Sequence, residues 1–212
     1  METWQLVLTV VVAFIVASMI PYLILKYAYR KPLQNFFLYL GNIFLFPMWI
    51  FAIYETPGKR REKLKKAGIK EGDVIVDLGC GLGRFTFLAA RIAGQKGKVY
   101  AIDIHPLHTA FTTVRRKMGG HNNVQVMLAD CCTTQLPDKS IDLIFINDAF
   151  HEFDKVSCLK EASRILKTDG ILAIDEAEMK EDKFLSIVEE ANLFTLVEKE
   201  KRLYKFRPLI NG

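Results

Sequence analysis

A run of apolar, β-branched residues that breaks into three glycines at alternate positions constrains this chain more than any other stretch: Val74-Ile75-Val76-Asp77-Leu78-Gly79-Cys80-Gly81-Leu82-Gly83. Val74 to Asp77 has the character of a buried strand, and a helical stretch follows from about Arg84. Glycines between them permit positive φ and let a ligand approach the main chain closely, which explains their alternate spacing better than packing does. Strand, glycine-rich turn and helix together make a loop of nucleotide-binding type.

The rest of the C-terminal region fits one fold around that loop. From Lys66 onward, short β-branched runs alternate with helical stretches, the pattern of an α/β domain with a mostly parallel sheet doubly wound by helices. Strands are predicted near Val74 to Asp77, Val99 to Asp103, Val124 to Ala129, Ile141 to Asn147, Gly170 to Glu176, Thr195 to Lys199 and Arg202 to Arg207. The last two are joined by so little chain that they must pair antiparallel, whereas Thr109 to Met118 and Lys155 to Leu166 leave room for crossover helices. This is a Rossmann-like, seven-stranded mixed sheet. Such sheets bind ligands off the carboxyl ends of their strands near the switch point.

A nicotinamide loop would continue G-x-G-x-x-G, but Arg84 stands where the third glycine belongs. The Tyr-x-x-x-Lys spacing of a short-chain dehydrogenase occurs only as Tyr22 with Lys26 and Tyr27 with Lys31, far from the loop. A nicotinamide-dependent oxidoreductase is therefore the weaker reading.

Asp77-Leu78-Gly79-Cys80-Gly81-Leu82-Gly83 resembles the D-x-G-x-G-x-G motif of class I S-adenosylmethionine-dependent methyltransferases. Val99-Tyr100-Ala101-Ile102-Asp103 resembles that family's second strand, and Ala129-Asp130-Cys131 the loop after its third. Two later segments are similar to the ubiquinone/menaquinone C-methyltransferase-like group. These are Leu136 to Phe145 with Asn147-Asp148-Ala149-Phe150-His151-Glu152, and Glu161 to Gly170. The likeness covers roughly residues 57–180 and implies S-adenosyl-L-methionine as cofactor. It assigns Asp77, Gly79, Cys80, Gly81 and Gly83 to the cofactor loop, Asp103 to both ribose hydroxyls with Ile104 beside it, and Asp130 and Cys131 to the adenine. A carboxylate suits the ribose because two oxygens can accept from two vicinal hydroxyls.

The resemblance places the loop after the fourth strand beside the transferred methyl, so Asn147, Asp148 and His151 become the residues that face the acceptor, with Asn147 also at the cofactor. A neutral histidine can take a proton near pH 7, which makes His151, with Asp148, the candidate catalytic pair. Amino-methyltransferases of planar bases carry Asn/Asp-Pro-Pro-aromatic here, and Asn147-Asp148-Ala149-Phe150 departs from it, which disfavours nucleic-acid bases as acceptors. His105 and His108 are spaced as H-x-x-H but lack a clear third ligand, and the cysteines Cys80, Cys131, Cys132 and Cys158 show no C-x-x-C spacing. No metal is expected, and the cysteines read as reduced thiols.

The first 56 residues differ in kind. Residues 1–66 carry nine Lys/Arg against three Asp/Glu, while the remainder carries 20 against 21. The basic residues thus flank apolar runs instead of surrounding the loop, which points to anionic lipid and not nucleic acid. Trp4 to Leu25 holds no charge and as a helix would span about 33 Å, enough to cross a bilayer. Phe36 to Tyr54 is also uncharged but is interrupted by Gly41, Asn42 and Pro47. A broken interfacial helix is favoured there, with a two-span hairpin as the alternative. The expectation is a hydrophobic helical membrane anchor over 1–56 and a methyltransferase domain over 57–212 facing the cytoplasm. Its acceptor would be lipid-like, quinone-type or a membrane protein. A noncatalytic membrane-bound scaffold keeping the same fold is the rival.

Overall fold

The computed structural model describes residues 57–209. The chain divides into the units Met1–Glu55 and Thr56–Gly212, and the second holds every element described below. In chain order these are α1 (Pro57–Ala67), β1 (Val74–Leu78), α2 (Thr86–Ala93), β2 (Lys98–Asp103), α3 (Pro106–Met118), β3 (Val124–Leu128) and β4 (Ile141–Asn147). There follow a 3₁₀ turn (Phe150–Glu152), α4 (Lys155–Ile165), β5 (Leu166–Asp175), α5 (Glu181–Ala191), β6 (Phe194–Glu200) and β7 (Leu203–Pro208).

The seven strands form one sheet in the order β3-β2-β1-β4-β5-β7-β6, with β7 antiparallel to both β5 and β6. The remaining pairings are parallel. Strand order reverses between β1 and β4, and Ile75, Val76 and Asp77 pair there with Leu143, Ile144 and Phe145. The crevice at a switch point opens where the chains leaving two neighbouring strands diverge to opposite faces of the sheet. Here the loops after β1 and β4 leave from that reversal.

Alternation along the central strands builds two cores. Val76, Leu78, Ile144 and Ile146 face α4 and α5, packing with Phe150, Leu159, Phe184 and Phe206. Ile75, Leu143 and Phe145 face the other way, toward Leu64 of α1 and Phe85, Ala89 and Ala93 around α2. Because the centre of the sheet is covered on both faces, β1, β4 and the part of β5 from Gly170 onward are largely apolar and buried, whereas Thr168 and Asp169 at the start of β5 are exposed. Edge strand β6 is exposed beyond Phe194. Local chemistry sets several boundaries. Asp154 caps α4 by accepting from the Ser157 amide at 3.0 Å. Pro106 opens α3, where its missing N–H is not needed, and Asn192 ends α5 in the left-handed region.

The seven-stranded mixed sheet agrees with the sequence reading. One boundary moves: β5 begins at Leu166, four residues before the expected Gly170. Leu166 is fully buried, pairs with Ile141 and adopts extended backbone, so the strand continues straight out of α4 through an irregularity between Ile141 and Leu143.

The expected membrane placement is overturned: no helix among the described residues is long and apolar enough to cross a membrane. Those helices run from 8 residues in α2 to 13 in α3, roughly 12–20 Å against a hydrocarbon core of about 30 Å. The runs at 4–25 and 36–54 read as membrane helices lie outside the described residues.

Phe184 meets Phe150 edge-on at 5.5 Å and Tyr204 at 4.8 Å, joining α5 to the sheet through a buried aromatic cluster. Phe184→Ala is expected to cost about 3–5 kcal/mol of stability, read from the midpoint of urea unfolding at unchanged m-value.

Candidate active site

The loop after β1 is tied to the end of β2 by main-chain and carboxylate bonds. The amides of Gly79 and Cys80 both donate to the Ile102 carbonyl, at 2.9 and 3.0 Å, and the Gly83 amide donates to the Cys80 carbonyl at 2.9 Å. The Gly81 amide donates to Asp103 Oδ2 at 2.8 Å. Asp103 Oδ1 accepts from the His105 amide at 2.8 Å and lies 3.3 Å from His108 Nδ1. Burial works against the Asp103 anion, but the bonds from His108, His105 and Gly81 outweigh it and hold the carboxyl below its ordinary range. These donors use about three of the four lone-pair positions of a carboxylate, leaving Oδ2 able to accept again.

Two glycines show why the loop has its composition. At Gly79, with φ +74°, a Cβ would sit 2.8 Å from the Ala149 methyl and 3.0 Å from the Phe153 ring. The loop after β4 packs directly on it. At Gly81, with φ +51°, a Cβ would meet nothing within 4 Å, so this part of the main chain faces open space beside the Asp103 carboxylate. Helix α3 clasps the loop from outside: Thr112 Oγ1 donates to the Gly81 carbonyl at 3.0 Å and Arg115 donates to the Leu82 carbonyl.

Asp77 does not face that opening. It is buried beneath the loop, where Thr86 Oγ1 donates to its Oδ2 at 2.5 Å and so ties β1 to the first turn of α2. Burial pushes its carboxyl up to about 6, the Thr86 bond opposes the shift, and the Asp103 charge adds to it. Cys80 is buried, and burial likewise holds its thiol well above its ordinary range.

Around the same edge, Ile104 is 69% exposed immediately after Asp103. Beyond β3, exposed Asp130 accepts from the Cys132 amide at 2.8 Å, and this bond lowers its pKa. A hydrogen bond with Cys158, followed by burial, pushes the Cys131 thiol up.

The end of β4 gathers charge. The Asn147 side-chain oxygen Oδ1 accepts from Lys63 Nζ of α1 at 2.9 Å, and the same ammonium pairs with Asp175 at the end of β5, also at 2.9 Å. Asp148 sits at φ +47°, its amide bonded to the Asp175 carbonyl at 2.8 Å. Burial, then the Asp175 charge, raises its pKa against the pull of Arg202 and Lys63. His151 lies in the 3₁₀ turn, where Nδ1 is 3.1 Å from Glu176 Oε1 and the backbone amide donates to Glu176 Oε2 at 3.1 Å. Glu176 also accepts from the Glu178 amide at 2.7 Å, and its side chain is 1% exposed. Three donors on one buried carboxylate fix the imidazole so that Nδ1–H donates and Nε2 keeps its lone pair.

Residues 69–208 match the family described as "Methyltransferase domain". The chain belongs to this family. Demethylmenaquinone methyltransferase of Lactobacillus johnsonii is 28% identical over 134 residues, covering 61% of this chain and 54% of the relative. Phosphoethanolamine N-methyltransferase 1 of Zea mays is 31% identical over 117 residues, covering 55% of this chain and 23% of the relative. The crystal structure of an S-adenosylmethionine-dependent methyltransferase from Aquifex aeolicus superposes with a TM-score of 0.61 at 28% identity, covering 71% of this chain and 89% of that one. The chain spans about half the length of the first curated relatives it matches.

The cofactor of this methyltransferase domain is S-adenosylmethionine. The residues present suit such a nucleoside. Gly81 offers an open main-chain face, Asp103 offers an acceptor oxygen beside it, and Ile104 adds an exposed apolar surface next in sequence. Sequence reading missed Glu176, Lys63, Asp175 and the α3 residues Thr112 and Arg115, whose distance along the chain hides their convergence. His105 and His108, spaced as H-x-x-H without a clear third ligand, stack at 4.4 Å and brace Asp103.

Asp103→Asn is expected to weaken S-adenosylhomocysteine binding by roughly 10- to 100-fold in a calorimetric titration, the worth of charged hydrogen bonds. Asp77 yields a pH effect of opposite sign to that of most carboxylates. Its folded pKa is raised, so its contribution to stability is full below its unfolded pKa of 3.8 and is lost as pH rises through about 6. Asp77→Asn, which keeps an acceptor for Thr86, is expected to flatten the fall in unfolding free energy across that window, measured by denaturant titration at several pH values.

Proposed function

We propose that this chain transfers the methyl group of S-adenosylmethionine to a small acceptor with an acidic proton at or beside the reacting atom, namely a hydroxylated ring of the quinone-precursor kind. The observation that carries this reading is the pairing of His151, on the loop after β4, with Glu176, just past β5; the β4 loop also supplies Ala149 and Phe153 to pack on Gly79 of the β1 loop. A relative named for demethylmenaquinone supports the acceptor class.

Bound S-adenosylmethionine supplies a sulfonium methyl already activated for displacement. The chain supplies position, exclusion of water and a proton acceptor. In this reading Asp103 Oδ2 accepts from the ribose hydroxyls, the main chain at Gly81 lets the nucleoside approach, and Ile104 and the Asp130–Cys131 turn border the adenine. Glu176 holds the Nδ1–H tautomer of His151, so Nε2 can take the acceptor's hydroxyl proton while negative charge builds at the neighbouring ring carbon. Glu176 then stabilises the imidazolium that results. Asp148 and Asn147, braced through Lys63 and Asp175, shape the acceptor side.

A second reading, an amine acceptor of the phosphoethanolamine type, is favoured by the carboxylates of Glu152 and Glu176 beside the same histidine and by one relative's name. Incubation with methyl-labelled cofactor and separate panels of hydroxylated rings and amino-headgroup compounds decides between them. Label on ring carbon supports the first, label on nitrogen the second, and saturable S-adenosylhomocysteine binding without turnover on either panel the scaffold alternative.

His151→Ala is expected to lower kcat by about 10²- to 10⁴-fold while leaving S-adenosylhomocysteine affinity unchanged. Glu176→Gln should lower kcat in the same direction and displace the acidic limb of the pH–rate profile. An unchanged kcat for His151→Ala would remove the proton-acceptor role.

A further inference from the structure

Three thiols gather where the loop after β3 meets the first turn of α4. Cys131 and Cys132 Sγ lie 3.7 Å apart, and Cys131 shares a hydrogen bond with fully buried Cys158. Cys132 Sγ reaches the Asp154 carbonyl at 3.8 Å. A carboxylate oxygen of Asp130 and the sulfurs of Cys131 and Cys132 all lie within 4.8 Å of one another. A tetrahedral ion with metal–sulfur bonds of about 2.3 Å places neighbouring sulfurs about 3.8 Å apart, so the two cysteines already span one edge of that polyhedron. The sequence reading set this adjacent pair aside as metal ligands. In the structure the turn at Asp130, fixed by the Cys132 amide on its carboxylate, brings both sulfurs and the carboxylate together.

We propose that Asp130, Cys131 and Cys132 form a site for one thiophilic divalent cation of the zinc or cadmium class, and that filling it opposes binding of S-adenosylmethionine. Two sulfurs select a soft or borderline ion over magnesium or calcium, whose coordination is built from oxygen. Each thiol releases its proton to solvent as its metal–sulfur bond forms, and no electron is transferred. Asp130 is exposed and Cys132 partly so, which gives an ion direct access. The Cys158 thiol steadies the Cys131 sulfur from behind, as an outer hydrogen-bond partner does for a ligand. The antagonism rests on the reading above that Asp130 borders the adenine: an ion on the carboxylate takes up one of its oxygens and neutralises its charge, which leaves it a poorer acceptor for the adenine amino group. Linkage makes the effect reciprocal, so the cofactor should weaken the ion's binding by the same factor.

The test is titration of the full chain with cadmium chloride, followed by the ultraviolet sulfur-to-cadmium charge-transfer band, with S-adenosylhomocysteine affinity measured by calorimetry with and without the ion. The expected result is one ion per chain, a band lost in Cys131→Ser/Cys132→Ser, kept in Cys80→Ser, and requiring about tenfold more cadmium in Cys158→Ala. Saturating cadmium should weaken S-adenosylhomocysteine binding about 5-fold or more. No band on folded protein that still binds S-adenosylhomocysteine, or a band surviving in the double variant, overturns the site. A band without any change in S-adenosylhomocysteine affinity overturns the antagonism. Absence of S-adenosylhomocysteine binding altogether would refute the cofactor assignments for these residues, while the band would still decide whether the ion site exists.

Discussion

The bond from the Gly81 amide to the Asp103 carboxylate, with the paired bonds from Gly79 and Cys80 to the Ile102 carbonyl, holds the active edge of this protein in place. A glycine loop by itself is floppy, because each glycine gives up more conformational freedom on ordering than any other residue. Here the end of the neighbouring strand receives three consecutive loop amides, counting residues 79 to 81 with one skip in acceptor, from carbonyl to carboxylate. The acidic residue is thereby both a brace for the loop and an acceptor at its open side. The histidines after β2 extend the same device. They neutralise part of the cost of burying Asp103 and keep it ionised.

The second carboxylate of the motif works by another route. Asp77 and Asp103 stand on adjacent strands, where Asp77 pairs with Ala101 and Leu78 with Ile102. Asp77 is the more buried of the two and has the upward-shifted pKa, while Asp103 has many donors and the downward-shifted one. Like charges so close are tolerated because their surroundings separate their affinities for a proton. Asp77 thus positions the loop through Thr86, and Asp103 faces the opening. The sequence reading assigned both to the cofactor. The difference follows from where alternation along β1 points the Asp77 side chain, toward α2 and away from the open face of the loop.

At the ends of β4 and β5 the pattern repeats with longer reach. Lys63 leaves α1 to join Asn147 of β4 and Asp175 of β5, and Glu176, one residue past β5, fixes His151 after β4. Strands β4 and β5 are parallel and in register, with Asn147 opposite Asp175, so residues that follow them are delivered side by side. A histidine placed on a short 3₁₀ turn would rotate freely without that neighbour. Glu176, almost wholly buried and holding three donors, removes the freedom.

Local pattern in the sequence determined the sheet, its seven strands, the closing hairpin and the glycine loop, because period and turn chemistry act between residues close along the chain. The same locality made the motifs legible through which the family resemblance named Asp103, the last residue of β2, and Asp130 and His151, which follow β3 and β4. Only the tertiary structure decided what those residues touch. Glu176 on His151, Lys63 between two strand ends and Cys158 beside Cys131 are brought together by parallel pairing and helix docking across tens of residues, and no local period records such meetings. Membrane placement was drawn from apolar runs outside residues 57–209, and the described helices are too short to supply it. Hydropathy measures what a segment avoids. What it packs against is set by the rest of the fold.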